Sequence, residues 1–307
     1  MRARASYVQL GVLAGTSVVV WWRPMASALQ LALNNDAYSH LLLVIPISLT
    51  LIYYEKDAVL PAPFKKYWGA ILVGVALLLR GLSGLQLLHL SSSSALTLSM
   101  GALVIFWIGS AVSCFGIRML GRFLFPLCFL FLIVPLPDRA LNGVTEFLQQ
   151  RSSLGADILF RAVGVPVVRD GVLLSIPGLD IEVAKECSSV RSSAMLIVIT
   201  LVLAHLFLHT WTRKLLLVVA AIPLAVAKNA VRIFTIAELG TRVDRGFLHG
   251  KLHHHGGVVF LGIGVLEVVV LLWALRKSEG QSVAKKSGED QAQLGVANPA
   301  ERVRVQL

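Results

Sequence analysis

Long apolar runs alternate with short polar connections along most of the chain. Eight of them approach the roughly 20 residues that a helix needs to cross a bilayer. They fall at about residues 7–22, 38–54, 67–84, 94–114, 121–136, 190–209, 214–238 and 257–275. The pattern therefore predicts an all-α fold, a polytopic membrane helix bundle of about eight transmembrane helices.

Two stretches depart from this pattern. Residues 140–165 are more polar and carry apolar residues at helical spacing, which predicts one or two amphipathic helices at the membrane interface. An alternative count adds a span there. Residues 277–307 are small, polar and charged, so we expect a disordered cytoplasmic tail after a transmembrane domain of residues 1–276.

Composition supports a membrane protein and excludes one class of partner. Of the 307 residues, 56% are hydrophobic and only 15% are charged, against about 25% charged in soluble domains. The formal charge of +11 could suggest nucleic acid. However, Lys and Arg stand in the connections between apolar runs, where they orient membrane proteins. We therefore expect a lipid bilayer as the surroundings, no nucleic-acid partner, and both termini on the cytoplasmic side.

This orientation brings three polar clusters to the outer face. Cys187 stands at the start of the sixth run, and Asn229 and Arg232 lie in the outer half of the seventh. A loop rich in histidine precedes the eighth run. Separate parts of the chain therefore converge on one membrane face, which predicts a site there.

Cys187 is the candidate nucleophile of this site. A helix start favours the thiolate, and Arg191, one turn later, favours it further, whereas Glu186 opposes it. An unpaired thiol in an oxidising compartment also needs a reason. The alternative is that Cys187 is a small apolar filler at the interface, with Ser188 capping the helix.

Arg232 is the candidate anion-binding residue. An arginine at membrane depth costs roughly 2.5–3.5 kcal/mol to insert, so it usually faces a polar interior. Asn229 shares its helical face. Arg232 could thus bind an oxyanion or a carboxylate. The alternative is that its side chain reaches the outer interface and pairs with Glu238.

Histidines before the eighth run offer a general base. Adjacent residues point in different directions, so His253, His254 and His255 cannot all serve one site, but one of them beside a cysteine can act as base and then acid. A metal site and a solvated loop remain alternatives. The three cysteines form no C-x-x-C pair, and no P-loop or G-x-G-x-x-G occurs. We therefore expect no cofactor and no metal.

Several separated motifs resemble those of the exosortase/archaeosortase family of polytopic transpeptidases, specifically its bacterial exosortase branch. The matching segments are Tyr38-Ser39-His40, Phe125 to Pro137, Gly164 to Gly171 with Ile176-Pro177-Gly178, Ile181 to Ser188, Pro223 with Asn229 to Arg232, and Leu252 to Phe260. Together they cover roughly residues 38–275, and their order and spacing carry the resemblance.

The resemblance implies an extended outer segment before the nucleophile and a catalytic site of Cys187, Arg232 and His253. It implies cleavage of exported proteins that end in a Pro-Glu-Pro type motif, a transmembrane helix and a basic tail, with transfer to an unknown acceptor nucleophile. The setting would be the bacterial inner membrane. His254 is an alternative register for the histidine, and Ser189 stands where the family usually has glycine.

Two other functions remain open from the residues alone. A membrane acyltransferase would use the same cysteine on lipid or acyl-donor substrates. A non-catalytic transporter or assembly protein would line a pathway with the Arg232 cluster.

Overall fold

The computed structural model describes residues 2–55, 67–84, 90–183, 190–244 and 258–279. Contacts divide the chain into two compact units, Met1–Leu148 and Gln149–Leu307. Helices dominate both of them, because most of the chain is apolar enough to leave no other way of satisfying its backbone within a membrane.

Within its described residues, the first unit is built from helices. They are α1 (Arg2–Val20), α2 (Trp22–Asn34), α3 (Leu41–Glu55), α4 (Tyr67–Ser83), α5 (Ser92–Phe115), α6 (Leu120–Phe129) and the first part of α7 (Asp138–Ala162). Helix α1 meets α2 at a bend of 74°, and a bend of 94° precedes α7.

Small residues let α4 and α5 approach closely. A Cβ atom added at Gly69 would lie 2.3 Å from the Ser113 backbone nitrogen, and one at Gly109 would lie 2.8 Å from the Leu72 Cβ. Small residues at such crossings are the usual way in which membrane helices gain packing contacts.

Hydroxyl groups satisfy the irregular backbone around the prolines of this unit. The Ser48 hydroxyl donates to the Pro126 carbonyl at 2.7 Å, and the Thr97 hydroxyl donates to the Pro135 carbonyl at 2.8 Å. The buried Tyr38 hydroxyl donates to the Leu136 carbonyl at 2.8 Å. Two of the segments on which the resemblance rests therefore contact each other.

The second unit joins a small sheet to three long helices. It comprises the rest of α7, then β1 (Val168–Asp170), β2 (Leu173–Ile176), β3 (Leu179–Glu182), α8 (Val190–Phe207), α9 (Trp211–Arg242) and α10 (Val258–Glu279). The strands form an antiparallel sheet in the order β1-β2-β3.

The sheet packs against α7 and α9. Leu174 and Ile176 of β2 belong to one buried cluster with Phe160 of α7 and with Ile233 and Ala237 of α9. A second contact brings α7 onto α9, because a Cβ atom at Gly155 would lie 2.7 Å from the Cβ of Ala230. The sheet is therefore held against the second half of α9.

Helices α8, α9 and α10 share a separate apolar core. Its buried members are Leu196, Ala204, Leu208, Leu217, Ala225, Val268 and Leu272. At one end, the carboxylate of Glu279 accepts hydrogen bonds from the backbone N–H groups of Thr210 and His209, at 2.6 and 3.2 Å, and from the Thr210 hydroxyl. The end of α10 thus caps the start of α9, so the start of α10 lies toward the opposite end of this core.

The structure confirms the all-α, polytopic membrane bundle, and each of the eight predicted runs falls on a helix in the described residues. The number eight is not confirmed. Five helices are long and apolar enough to span by themselves, or up to seven spans if each bent pair counts as one. Tyr67–Ser83 is apolar but shorter. Of the predicted tail, residues 277–307, the first three residues belong to α10, which continues to Glu279, and residues 280–307 lie outside the described residues.

Two local features refine the predictions. Of the one or two helices predicted within residues 140–165, the structure has one, which continues through Ala162 because no proline interrupts Asp138–Ala162. The predicted extended segment before Cys187 is a three-stranded sheet because Gly171 and Gly178, at φ 59° and 84°, allow two tight turns.

Candidate functional site

The structure describes three of the seven predicted site residues: Asn229, Arg232 and Arg191. Cys187, Ser188, His253 and His254 lie outside the described residues. The described part of the site is therefore α9 together with the end of β3 and the starts of α8 and α10.

Arg232 is buried on α9, with only 8% of its surface exposed. Its neighbour Ile233 belongs to the apolar cluster beneath the sheet. A side chain that reached the interface would expose its guanidinium, so this burial argues against an arginine that merely extends to the outer interface. The carboxylate of Glu238 instead lies 2.6 Å from Nε of Arg242.

Asn229 and Lys228 accompany Arg232 on the same helix, each only 1% exposed. Asn229 precedes Arg232 by three residues and Lys228 precedes it by four, spacings that share a helix face. Three polar side chains thus lie buried within a helix that is long and apolar enough to cross a membrane. A fixed guanidinium and amide of this kind can bind an oxyanion or a carboxylate.

Lys228 joins α9 to α8. Its ammonium donates a hydrogen bond to the Ser192 hydroxyl at 2.5 Å, and Ser192 lies in the first turn of α8. The chain enters α8 directly after residues 184–189. We call residues 184–189 the Cys187 segment. The chain that follows it is therefore fastened to α9 one turn before Arg232.

The other side of the Cys187 segment is also fastened. Val183 follows β3, is buried in the cluster that contains Ile233, and accepts a hydrogen bond from the Gln149 side chain at 2.7 Å. Its backbone N–H donates to the Val172 carbonyl at 3.0 Å. Val183 and Ser192 thus contact α9 or its cluster on the two sides of Arg232.

Helix α10 begins at the end of the three-helix core where Lys228 meets the start of α8. A Cβ atom at Gly264 would lie 3.0 Å from Cδ of Lys228 and 3.3 Å from Cδ2 of Leu196, so α8, α9 and α10 meet there. The structure describes the chain to Asp244, two residues beyond α9, and again from Val258, where α10 begins. The start of α8, the second half of α9 and the start of α10 are consequently neighbours.

Arg191 is exposed in the first turn of α8, while Ser192 and Ser193, which follow it, are buried. Its helical position agrees with the prediction, whereas its contribution to a thiolate depends on residues that the structure does not describe. Within the described ranges, no three His, Cys, Asp or Glu side chains come together as a metal site requires.

Three residues of this region were not predicted to have a role. They are Lys228, Gln149 and Glu267. An ionisable residue in an apolar run was a usable signal for Lys228 and Glu267. Gln149 carried no signal, because it lies on a polar helix face whose partner is fixed by the sheet.

A family of known proteins matches most of the chain. Residues 10–272 match the family model described as transmembrane exosortase. No curated protein matches the chain, and no solved structure does so either.

Proposed function

Because the chain belongs to the transmembrane exosortase family, we propose that it is a membrane cysteine transpeptidase acting on exported proteins. Its substrates carry a C-terminal sorting signal: a motif of Pro-Glu-Pro type, a transmembrane helix and a basic tail. The enzyme cleaves near the motif and transfers the new carboxyl end to an acceptor.

In the proposed reaction the Cys187 thiolate attacks the carbonyl carbon of the scissile peptide bond. The oxyanion that forms is stabilised by Arg232, with Asn229 supporting the same side. His253 gives a proton to the leaving amine as the C–N bond breaks, which leaves a thioester on Cys187. His253 then takes a proton from the acceptor, which attacks the thioester and regenerates the thiolate. His254 is the alternative for this role.

One observation carries the proposal. The chain on both sides of residues 184–189 is tied to α9 around Arg232, through the Ser192–Lys228 hydrogen bond and through the Val183 cluster that includes Ile233. Only eight residues, 184–191, lie between these anchors, and they cannot extend far because a chain spans at most about 3.6 Å per residue. The anchors therefore support a short distance between the proposed nucleophile and the buried guanidinium.

The setting we propose follows from the charge pattern. Arg213 and Lys214 lie in the first turn of α9. Their positive charges favour a cytoplasmic start for that helix. Both termini would be cytoplasmic, and the site would face outward from the bacterial inner membrane. The substrate's own transmembrane helix would lie in the same bilayer as the enzyme.

The direct test replaces Cys187 with alanine. In cells that express a tagged substrate with a complete sorting signal, Cys187→Ala should accumulate the full-length form while the enzyme inserts normally. Cys128→Ala is the matched control, because Cys128 is an exposed cysteine in the first unit. Normal processing by Cys187→Ala would contradict the proposal. Equal loss in both variants would indicate damage to the fold instead.

A further inference from the structure

A buried lysine joins all three helices of the second unit's core at one point. Lys228 of α9 donates to Ser192 of α8, and its aliphatic stem packs where Gly264 of α10 leaves room. The carboxylate of Glu267, one turn further along α10, attracts the Lys228 ammonium. We name Ser192, Lys228, Gly264 and Glu267 the lysine junction.

The lysine junction lies close in sequence to every segment that the proposed mechanism uses. Ser192 follows Cys187 by five residues, and Gly264 follows His253 by eleven. Arg232 is four residues beyond Lys228 on the same helix, a rise of about 6 Å. A single side chain therefore links the helices that continue from, or carry, all three proposed catalytic residues.

Helix packing alone does not require a charged residue there. Lys228 is 1% exposed, and Arg232 adds a repulsive interaction between two cations. A leucine would fill similar space without the cost of burying an ammonium. A buried, hydrogen-bonded ammonium that leaves stability no better than an apolar substitute is best explained by the arrangement that it specifies, as polar residues do in helix bundles.

From this geometry we propose that Lys228 is a positioning residue: through Ser192 and Glu267 it fixes the starts of α8 and α10 relative to Arg232. The inference rests on the proposed function, because the reaction needs Cys187, Arg232 and His253 in one alignment. Errors near 1 Å in such an alignment can cost about a hundredfold in rate.

The test removes the hydrogen bond and leaves the lysine in place. Ser192→Ala should lower kcat for sorting-signal cleavage by at least tenfold, with KM changed less than twofold, and Ser192→Thr, which keeps the hydroxyl, should restore most of it. Thr200→Val is the matched control: Thr200 is buried on the same helix, and its hydroxyl bonds its own helix at the Leu196 carbonyl. Thermal unfolding in detergent is measured for each variant.

A second readout follows the alignment without any turnover. In a Cys114→Ala/Cys128→Ala background, Cys187 is alkylated with iodoacetate and with iodoacetamide. The rate with iodoacetate divided by the rate with iodoacetamide reports the electrostatic attraction between Arg232 and the anionic reagent. Ser192→Ala and Glu267→Gln should each lower this ratio at least threefold, toward the value of Arg232→Gln. Glu267→Gln is the sharper variant, because the two explanations predict opposite changes. Loss of a negative charge would by itself raise the ratio, whereas loss of the positioning lowers it.

The outcomes separate the two proposals. An unchanged ratio in Ser192→Ala, a raised ratio in Glu267→Gln, or a loss of kcat in Thr200→Val equal to that in Ser192→Ala would overturn the positioning role. If the ratio falls as expected but Cys187→Ala still processes substrate, the positioning role stands and the proposed transpeptidase function fails.

Discussion

Arg232 illustrates how a residue that is costly to bury can still be retained. Its guanidinium is buried on α9 with Asn229 beside it and Lys228 one turn away. Inserting an arginine at membrane depth costs roughly 2.5–3.5 kcal/mol, which local polar contacts must offset. A rigid, permanently charged fork of this kind is suited to stabilising an oxyanion.

Replacing Arg232 should therefore affect the reaction more than the fold. Arg232→Gln is expected to lower kcat/KM about 10²–10³-fold, the range found for lost oxyanion donors. Arg232→Lys keeps the charge but loses the fork, so an intermediate loss is expected. Cleavage of a sorting-signal substrate by purified enzyme measures both.

Arg242→Gln is the control for this substitution. Arg242 is on the same helix but is exposed and paired with Glu238 at its surface. We expect near-normal activity from it, since surface ion pairs contribute little. If Arg232→Gln were no worse than Arg242→Gln, Arg232 would have no part in catalysis.

Among single residues, the sequence predicts what depends on spacing along one helix. Asn229 and Arg232 were recognisable because an asparagine and an arginine at i and i+3 interrupt an apolar run. The Lys228–Ser192 bond was not, because it joins residues 36 apart in sequence. Only the packing of α8 on α9 determines which polar residue of one helix faces which of the other.

Among the helices, the contact between α7 and α9 sets where the sheet can lie. It depends on Gly155, since any Cβ there would come within 2.7 Å of Ala230. The chain runs from α7 into the sheet, which ends at Glu182, and Val183 then leads to the Cys187 segment. Displacing α7 should consequently disturb the site as well as the packing.

Gly155→Ala should lower the free energy of unfolding by about 1–3 kcal/mol, the usual cost of overpacking. Gly143→Ala is the matched control on the same helix, because nothing lies within 4 Å of its added Cβ, and alanine favours a helix over glycine by about 1 kcal/mol. Thermal unfolding in detergent distinguishes them. Equal stability of the two variants would mean that α7 does not pack on α9 in this way.

The sheet shows why an element can be missed although its signals are present. Asp170-Gly171 and Pro177-Gly178 are both turn dipeptides, and each glycine has a positive φ. The three strands that these turns connect have only three or four residues each. Runs so short give no clear alternation, so the stretch is recognisable as extended but not as two hairpins.

For the whole molecule, apolar length predicts helices better than it predicts spans. Every predicted run is helical, yet α1 and α2 bend by 74° where a single span could have continued. Bends of this kind depend on contacts such as the Trp21 indole, which donates to the Ser99 carbonyl at 2.8 Å. No sequence window contains both of those residues.

The proposed orientation can be tested at the two ends of α9. In a variant without its native cysteines, Val243→Cys should react with a membrane-impermeant maleimide in intact spheroplasts. Trp211→Cys should react only after permeabilisation. Both side chains are exposed, at 67% and 75%, so accessibility within the protein does not bias the comparison. The reverse labelling pattern would place the start of α9 outside and the site on the cytoplasmic face, against the proposed orientation.

The proposed function depends above all on Cys187 carrying the acyl group of the substrate, and this intermediate can be trapped. Purified enzyme is mixed with a tagged sorting-signal substrate, quenched in acid, digested and analysed by mass spectrometry. We predict a hydroxylamine-sensitive adduct on the peptide that contains Cys187, and its loss in Cys187→Ala. Cleavage of the substrate with no adduct on Cys187, or with an adduct that persists in Cys187→Ala, would rule out this cysteine as the nucleophile.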